Sequence, residues 1–508
     1  MAGQSRNLWK GITRRRTEHH TVDLTLSLEP EVRSFEFEGD LLRRVKSELS
    51  DTDTFIKDEI GELFGLAEAL CARAHTYQSL FHQLIAEMRP RVQASHDAAE
   101  LERLSEEFAR ALRRLWIEAS VSSASQNYRS PPTDDQTTTA TGRSIEFGYE
   151  RDLQPTYLEE RCAGFFMEPP EGWTSDHVLL SSGQSAMAAA LHALESGSLI
   201  GGDQKLSFVH LGAYFETAEI FSLFSSLLKP LGTGRRAVEA MDQLDADVFI
   251  IEPVFCDGEF GSVNVARIVE LHREKPRRRV YIFDTTLTGS SYSLEKDLVA
   301  MSPLKPPVVF RLVSGLKLLQ GGLELASVGI LSVFTPKDAV VSAKELGDKI
   351  RKIRTLLGSG LGFGDVAALE APWFLDREYS RLYQQAIFEN NARLAAAVSA
   401  NNSLFRGTFH PSMLPEWQGP QDAPYCAFRL QKGDPLTYDR LVERIRSEVQ
   451  ERGILFESGG SFGFRGHRFD LVKPEDSEPF LRVALGRRAG WSSDQIIRLF
   501  SELASSPL

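Results

Sequence analysis

The sequence predicts an α/β protein: a mostly parallel sheet covered by helices, preceded by a helical extension and followed by a smaller α/β domain. Three observations carry this expectation. From about Phe147 onward, short apolar runs alternate with helical patterns, as in strands joined by crossover helices. Before that point, apolar residues recur at three- and four-residue steps with few strand signals, the mark of amphipathic helices. The length of 508 residues exceeds one ordinary compact domain.

Composition narrows the class further. Hydrophobic residues are 42% and charged residues 25%, a globular balance that argues against a disordered chain. Lys plus Arg is 58 against 70 for Asp plus Glu, a formal net charge of −12. That acidity disfavours a nucleic-acid partner, whose backbone demands positive charge. Apolar runs fall short of the roughly 18 residues a membrane helix needs, so no membrane association is expected. Residues 1–21 are polar, carry Arg14, Arg15 and Arg16, and lack the apolar region of a secretory signal. The arginine run reads as a solvated tail. Cys71, Cys162, Cys256 and Cys426 are widely spaced, which points away from a disulfide scaffold or metal site and toward a reducing, cytoplasmic setting.

The elements follow in order. Leu41, Leu42, Val45 and Leu49, then Ile56, Ile60, Leu63 and Phe64, begin a helical pattern that runs through Leu66, Leu70, Tyr77, Leu80, Phe81, Leu84 and Ile85. After Pro90 it resumes at Leu101, Leu104, Phe108, Leu112 and Leu115, giving two or three helices. Residues 119–143 are rich in Ser, Thr, Asp and Pro and read as a linker. Strands are expected at 177–180, 206–210, 247–252, 279–284, 307–312 and 327–333, with helices at 185–196, 217–228 and 264–274. A long helix is expected over 366–400. Strands at 427–430 and 481–484 and helices at 438–452 and 493–503 close the chain. The division is a helical extension and linker over 1–145, a large domain over 146–375 and a small domain over 376–508.

Ligands of open parallel sheets bind at the carboxyl ends of the strands, so the residues ending each strand are the candidates. Ser181-Ser182-Gly183-Gln184-Ser185 opens a helix, and its free N–H groups suit a phosphate, although a serine N-cap without a ligand looks the same. It lacks the ending of a Walker loop. The stretch 358–364 is glycine-rich but follows a helical pattern, so it reads as a loop. Asp284 ends one strand, and Lys317 follows the next in Ser314-Gly315-Leu316-Lys317. A lysine just past a buried strand must be paired, covalently bound or exposed. A phosphate turn, a carboxylate and a lysine are the three elements that a carbonyl cofactor with a phosphate and a pyridine ring needs.

On these residues the sequence resembles the pyridoxal-phosphate enzymes of cysteine and methionine metabolism, the cystathionine γ-synthase and γ-lyase group of fold type I. The likeness runs from about Phe147 to Leu503 and omits the helical extension. The family's Tyr-x-Arg and Asn-Pro-Thr segments resemble Tyr149-Glu150-Arg151 and Gln154-Pro155-Thr156. Its Ser-Gly-Met-Ala-Ala turn is similar to Ser182-Gly183-Gln184, with Ala188 and Ala189 after an insertion. Tyr214-Phe215-Glu216-Thr217 resembles its Tyr-Gly-Gly-Thr segment, Asp284-Thr285-Thr286 its aspartate motif and Ser314-Gly315-Leu316-Lys317 its lysine motif. Ser458-Gly459-Gly460 and Leu481-Arg482-Val483 resemble its substrate-carboxylate segments.

The resemblance implies pyridoxal 5'-phosphate as cofactor. Lys317 would hold it as an internal aldimine and then move protons, Asp284 would protonate the pyridine nitrogen, and Tyr214 would stack on the ring. Ser182, Gly183, Gln184 and Ser314 would bind its phosphate. Tyr149 and Arg151 would reach that phosphate from a neighbouring subunit of a homodimer or homotetramer. Arg482 and Ser458 would bind the substrate. The implied reaction is elimination or replacement at Cγ, or Cβ, of an amino acid such as an O-acylhomoserine, cystathionine or S-adenosylmethionine. It would pass through an external aldimine and a vinylglycine-type intermediate, in a specialised biosynthetic pathway with an unusual second substrate. The same fold also accommodates an aminotransferase or decarboxylase. A non-catalytic scaffold or binding protein with a decayed site is the reading from another class. The sequence departs from the pattern at Leu316, at Phe215 and Glu216, at an insertion over 302–307, and in Glu252-Pro253-Val254-Phe255-Cys256-Asp257. Cys256 reads as a buried, inert thiol.

Overall fold

A computed structural model describes residues 54–125, 129–131, 137–166, 168–195, 205–255, 257–398, 402–414, 419–474 and 478–505. Leu41 to Leu49, the run Arg14–Arg16 and Cys256 lie outside them. The described part begins with three helices, α1 (Thr54–Arg73), α2 (Gln78–Ala94) and α3 (Ala98–Ser125). They share an apolar seam in which Phe64 meets Phe108 at 4.8 Å and Phe81 meets Trp116 at 6.3 Å between ring centres. Pro90 does not end α2, because Met88 and Val92 on either side of it are buried. Packing outweighs the one hydrogen bond a proline removes. The expected linker is helical up to Ser125. Further along, β1 (Thr137–Thr138) pairs antiparallel with β2 (Ser144–Ile145).

Helix α4 (Thr156–Phe166) leads into the large sheet. Its first half holds β3 (Trp173–Leu180), α5 (Gly183–Glu195), β4 (Leu206–Leu211), α6 (Phe215–Leu223), β5 (Leu228–Thr233), α7 (Gly234–Glu239), β6 (Val248–Ile251) and α8 (Val265–Glu274). Its second half holds β7 (Val280–Asp284), α9 (Leu294–Met301), β8 (Val308–Ser314), α10 (Gly315–Leu318), β9 (Gly329–Pro336) and α11 (Ala343–Leu357). The seven strands run in the order β3-β9-β8-β7-β6-β4-β5, all parallel except β9. Alternation along each strand divides the apolar residues between two cores. Ile250, Ile282, Phe310 and Leu331 face α5 and α11, while Phe249, Phe283, Val309 and Phe334 face α8 and α9. Two elements differ from expectation. The helix expected over 217–228 stops at Leu223, and Leu228 opens the mostly exposed edge strand β5. The helix expected over 366–400 is two, α12 (Phe363–Ala368) and α13 (Arg377–Ala397). Pro372 lies in the gap, and a residue before proline is driven out of helical geometry.

The second sheet contains β10 (Phe405–Phe409), β11 (Cys426–Leu430), β12 (Phe456–Ser458), β13 (His467–Val472) and β14 (Phe480–Ala484). Its order is β10-β11-β14-β13-β12, antiparallel except for β12 with β13. Helices α13, α14 (Pro435–Arg452) and α15 (Trp491–Ala504) cover one face of it. Cys71, Cys162 and Cys426 are buried free thiols. Among the described residues, no helix is long and apolar enough to cross a membrane.

Buried charge joins the extension to the rest of the protein. Glu59 on α1 is 0% exposed and accepts from Nε of Arg465 at 3.3 Å and Nε of Arg488 at 3.1 Å. Glu62, one helical turn on, accepts from Arg465 Nη1 at 3.0 Å and from the Tyr379 hydroxyl at 2.8 Å. It also pairs with Arg487 at 3.2 Å. Trp116 on α3 donates to the carbonyl of Ala368 at 2.8 Å. Removing one member of a buried ion pair strands the other in low dielectric. Glu59→Ala should therefore cost about 3–5 kcal/mol in urea unfolding. Burial works to raise the Glu62 pKa, but Arg465 and Arg487, helped by the Tyr379 hydrogen bond, hold it from 4.5 down to about 2. A depressed folded-state pKa gives stability that is present above pH 4.5 and lost as pH falls toward 2. Glu62→Gln should flatten the fall in stability across that window, measured by urea unfolding at stepped pH.

Candidate active site

The parallel strands end together at one edge of the large sheet. In register, Leu211 lies beside Ile251, Ile251 beside Phe283, and Asp284 beside Leu312. The turns after β3, β4, β6, β7 and β8 enclose a cavity of about 450 Å³ with the second sheet as its far wall. Ser182, Gly183, Gln184, Tyr214, Asp284, Ser314, Lys317 and Arg482 all line it.

The turn after β3 sits directly on the turn after β8. A Cβ at Gly183 would come within 3.3 Å of the Ser314 Cβ, and one at Gly329 within 2.0 Å of the Ser182 carbonyl oxygen. Glycine at both positions is what lets these chains approach. Ser182 caps α5, its hydroxyl accepting from Ser185 N at 3.0 Å. The first-turn N–H groups of Gly183 and Gln184 have no acceptor within the helix, which suits an anion. Ser314 is fixed from below by its own N–H, which donates to the Thr286 hydroxyl at 2.9 Å.

Asp284 accepts from Thr286 N at 2.9 Å. Burial and then the charge of Glu252 push its pKa up, opposed by Thr286 and Lys317. Such a carboxylate gains most from a cation brought into the cavity. The Lys317 ammonium lies 4.7 Å from the ring centre of Phe462 and 5.6 Å from that of Tyr214. It is thus flanked by two aromatic walls above the sheet edge.

Glu252, just past the end of β6, is the residue that strand-end reading left unassigned. It is buried, and burial alone would raise its pKa, but His210 and the amides it binds bring the net shift down. Its carboxylate meets His210 Nε2 at 3.0 Å and accepts from the N–H groups of Ala213 at 3.0 Å and Tyr214 at 2.9 Å. Those bonds fix the backbone that carries the Tyr214 ring. Glu216 also lines the cavity and accepts from both the Gln184 amide and the Tyr214 hydroxyl. Ser461, on the far wall, has φ 73, a strained conformation of the kind that collects at binding sites.

Three expected site residues stand outside the cavity. Ser458 ends β12 and is exposed, its hydroxyl accepting from Arg446 at 3.3 Å; Gly460 and Ser461 line the wall instead. Tyr149 is 54% exposed with the Arg151 guanidinium 5.2 Å from its ring centre, and neither lines the cavity of this chain. Arg482 does reach the cavity, but Asp470 takes its Nε at 2.9 Å and its Nη2 at 2.8 Å. One edge of its guanidinium fork is therefore already paired.

No family model and no curated protein matches the chain. Solved structures do resemble it. A methionine gamma lyase from Micromonospora echinospora is 19% identical, with a TM-score of 0.50 over 74% of this chain and 90% of that one. A cystathionine gamma synthase from Xanthomonas oryzae pv. oryzae is 15% identical, with a TM-score of 0.51 over 75% and 97%. The yeast cystathionine gamma-lyase is 13% identical, with a TM-score of 0.50 over 77% and 97%. The chain therefore has the fold of these proteins, as the motif resemblance implied.

The Glu252 bonds have a measurable consequence. A Cβ at Gly212 would lie 2.4 Å from the Glu252 carboxyl carbon, so Gly212→Ala displaces the same side chain that Glu252→Ala deletes. Each change strands buried donors at about 1–3 kcal/mol. The double variant should lose much less than the sum of the two in thermal unfolding, the signature of a shared interaction.

Proposed function

We propose that the protein is a pyridoxal-phosphate-dependent enzyme that eliminates or replaces a group at Cγ of an amino acid. The single observation that carries this reading is the convergence of Lys317, Asp284 and the amino end of α5 on one cavity. A phosphate, a protonated ring nitrogen and a carbonyl carbon each find a suitable group there. The half-buried Asp284 would gain a cationic partner, the amides of Gly183 and Gln184 an anion, and the lysine amine a carbonyl. The named activities of the structural neighbours, a methionine gamma lyase, a cystathionine gamma synthase and a cystathionine gamma-lyase, support the γ position.

When bound, the cofactor supplies an electron sink that stabilises carbanions next to the substrate nitrogen. The protein's own part is binding and proton movement. Lys317 would hold the cofactor, and its amine would move a proton at Cα and then at Cβ of the substrate. Asp284 would face the ring nitrogen and favour its protonated form. Tyr214 provides a wall for the ring and a hydroxyl whose hydrogen bond to Glu216 orients it. Arg482 receives the substrate carboxylate on the edge of its fork that Asp470 does not occupy. Glu216 is one of the departures from the family pattern that line this site, and it adds negative charge beside the Gln184 amide.

That charge bears on assembly. Glu216, Glu252 and Asp284 line the cavity together with Lys317 and Arg482, and Arg482 is paired with Asp470. A doubly charged phosphate needs further cations. The exposed Arg151 is suited to supply a cation, and the exposed Tyr149 a hydroxyl, to the site of a second subunit, so we read the enzyme as a homodimer or larger. In the same reading the cofactor domain spans 146–375 and the small domain 376–508.

Two outcomes test this function. Protein reconstituted with pyridoxal phosphate should show a visible absorption band that Lys317→Ala lacks, and homoserine esters, cystathionine or S-adenosylmethionine should release their γ substituent. A wild type that never takes up the cofactor, or that only transfers the amino group to a keto acid, contradicts it. Mixed after unfolding and refolding, inactive Lys317→Ala and Arg151→Ala should regain partial activity, because the mixed dimer holds one intact shared site.

A further inference from the structure

The opposite face of β8 carries a second cavity. Leu312 and Ser314 point into the site described above, while Arg311 and Val313 point away from it into a separate space of about 220 Å³. Phe165, Phe166, Leu294 and Leu298 form its apolar walls. Arg311 is 8% exposed. Its Nε donates to the Thr285 hydroxyl at 3.0 Å, and its guanidinium lies 4.4 Å from the ring centre of Phe166. Among the described residues, neither of its terminal nitrogens has a hydrogen-bond acceptor and no carboxylate pairs with it.

The other deeply buried arginines are different. Arg279 pairs with Asp245, Arg354 with Glu159, Arg465 with Glu59 and Glu62, and Arg488 with Glu59 and Glu106. Each follows the rule that a buried charge is matched. The acids that line the cavity, Glu168 and Glu295, are exposed at its mouth, and Asp297 accepts from the Tyr292 hydroxyl. Burial lowers the Arg311 pKa, but only to about 10, so the group stays cationic at neutral pH. Val309 and Val313 share its face of the strand in apolar cores, and a valine or leucine here would be more stable. An unmatched buried cation opening on a cavity is a site missing its anion.

We propose that this cavity binds a small organic carboxylate with a flat apolar body, its two oxygens on Nη1 and Nη2 of Arg311 and its body against Phe165, Phe166 and Leu298. The fork geometry matches a carboxylate in two hydrogen bonds. One buried cation suits a single negative charge. Exposed Glu168 and Glu295 at the mouth disfavour a phosphate dianion, while Arg377 and Arg381 there keep the approach open to a monoanion. The volume lies below the roughly 300–1,000 Å³ of larger ligand sites, which limits the occupant to about one ring.

Calorimetry on the full chain with phenylacetate tests the proposal. Wild type should bind one molecule per chain, and Arg311→Met should weaken binding at least about 100-fold, the worth of two charge-assisted hydrogen bonds. The same variant should melt at an equal or higher temperature without ligand. Ser290 is exposed at the mouth and only its N–H is engaged, by Gln384. Ser290→Trp should therefore fold normally and block binding, and it decides the matter if Arg311→Met does not fold. Wild type that gives no heat with millimolar phenylacetate, unchanged affinity in Ser290→Trp, or uptake of inorganic phosphate in place of phenylacetate would each overturn the proposal.

Discussion

The carboxylate of Asp284, held at the end of β7 by the Thr286 amide, organises the cavity around it. Burial and the neighbouring Glu252 raise its pKa, so its ionised form depends on a cation facing it. Lys317 lies in α10, directly after the adjacent strand β8, and the parallel register that sets Asp284 beside Leu312 also brings Ser314 and Lys317 to the same edge. Thr286 links the two turns by accepting from Ser314 N at 2.9 Å. Backbone register thus fixes the spacing of the charged groups before any side-chain packing is considered.

The same constraint, that buried charge must be matched, explains the extension. Glu59 and Glu62 on α1 neutralise Arg465, Arg487 and Arg488, which come from the loops around β13 and β14. Arg465 in turn donates to the carbonyl of Gly321 at 3.0 Å, shortly after Lys317. The Tyr383 hydroxyl donates to the Gly463 carbonyl at 3.0 Å, next to the Phe462 ring that faces Lys317. Helices that sequence comparison leaves without a role therefore hold the segment forming the far wall of the cavity. Without them three arginines would lose their counter-charges.

Much of this was legible in the sequence, for identifiable reasons. The parallel strands are unbroken Val, Ile and Phe runs such as Val248–Ile251, which few other elements produce. Strand ends then nominate Asp284 and Lys317 directly. The strands of the second sheet were harder: β12 and β13 contain Glu457, Arg468 and Asp470 on an open face, so their pattern resembles a loop. Pro90 was read as a helix break because packing across it is invisible in one dimension. Glu252 ends a strand as Asp284 does, and the same rule could have nominated it. Glu216 and the Asp470 partner of Arg482 could not be foreseen, since each depends on contacts between segments far apart or on a side chain's direction. Ser458 was chosen for its place in a motif, whereas the chain turns the next residues, Gly460 and Ser461, into the cavity.

The central claim is that Lys317 is the residue to which the cofactor attaches. Reductive trapping tests it most directly: purified protein is incubated with pyridoxal 5'-phosphate, reduced with borohydride, digested and mapped by mass spectrometry. The account predicts one phosphopyridoxyl group per chain, on the peptide containing Lys317. Label scattered over surface lysines, or absent from Lys317 while present elsewhere, would contradict it.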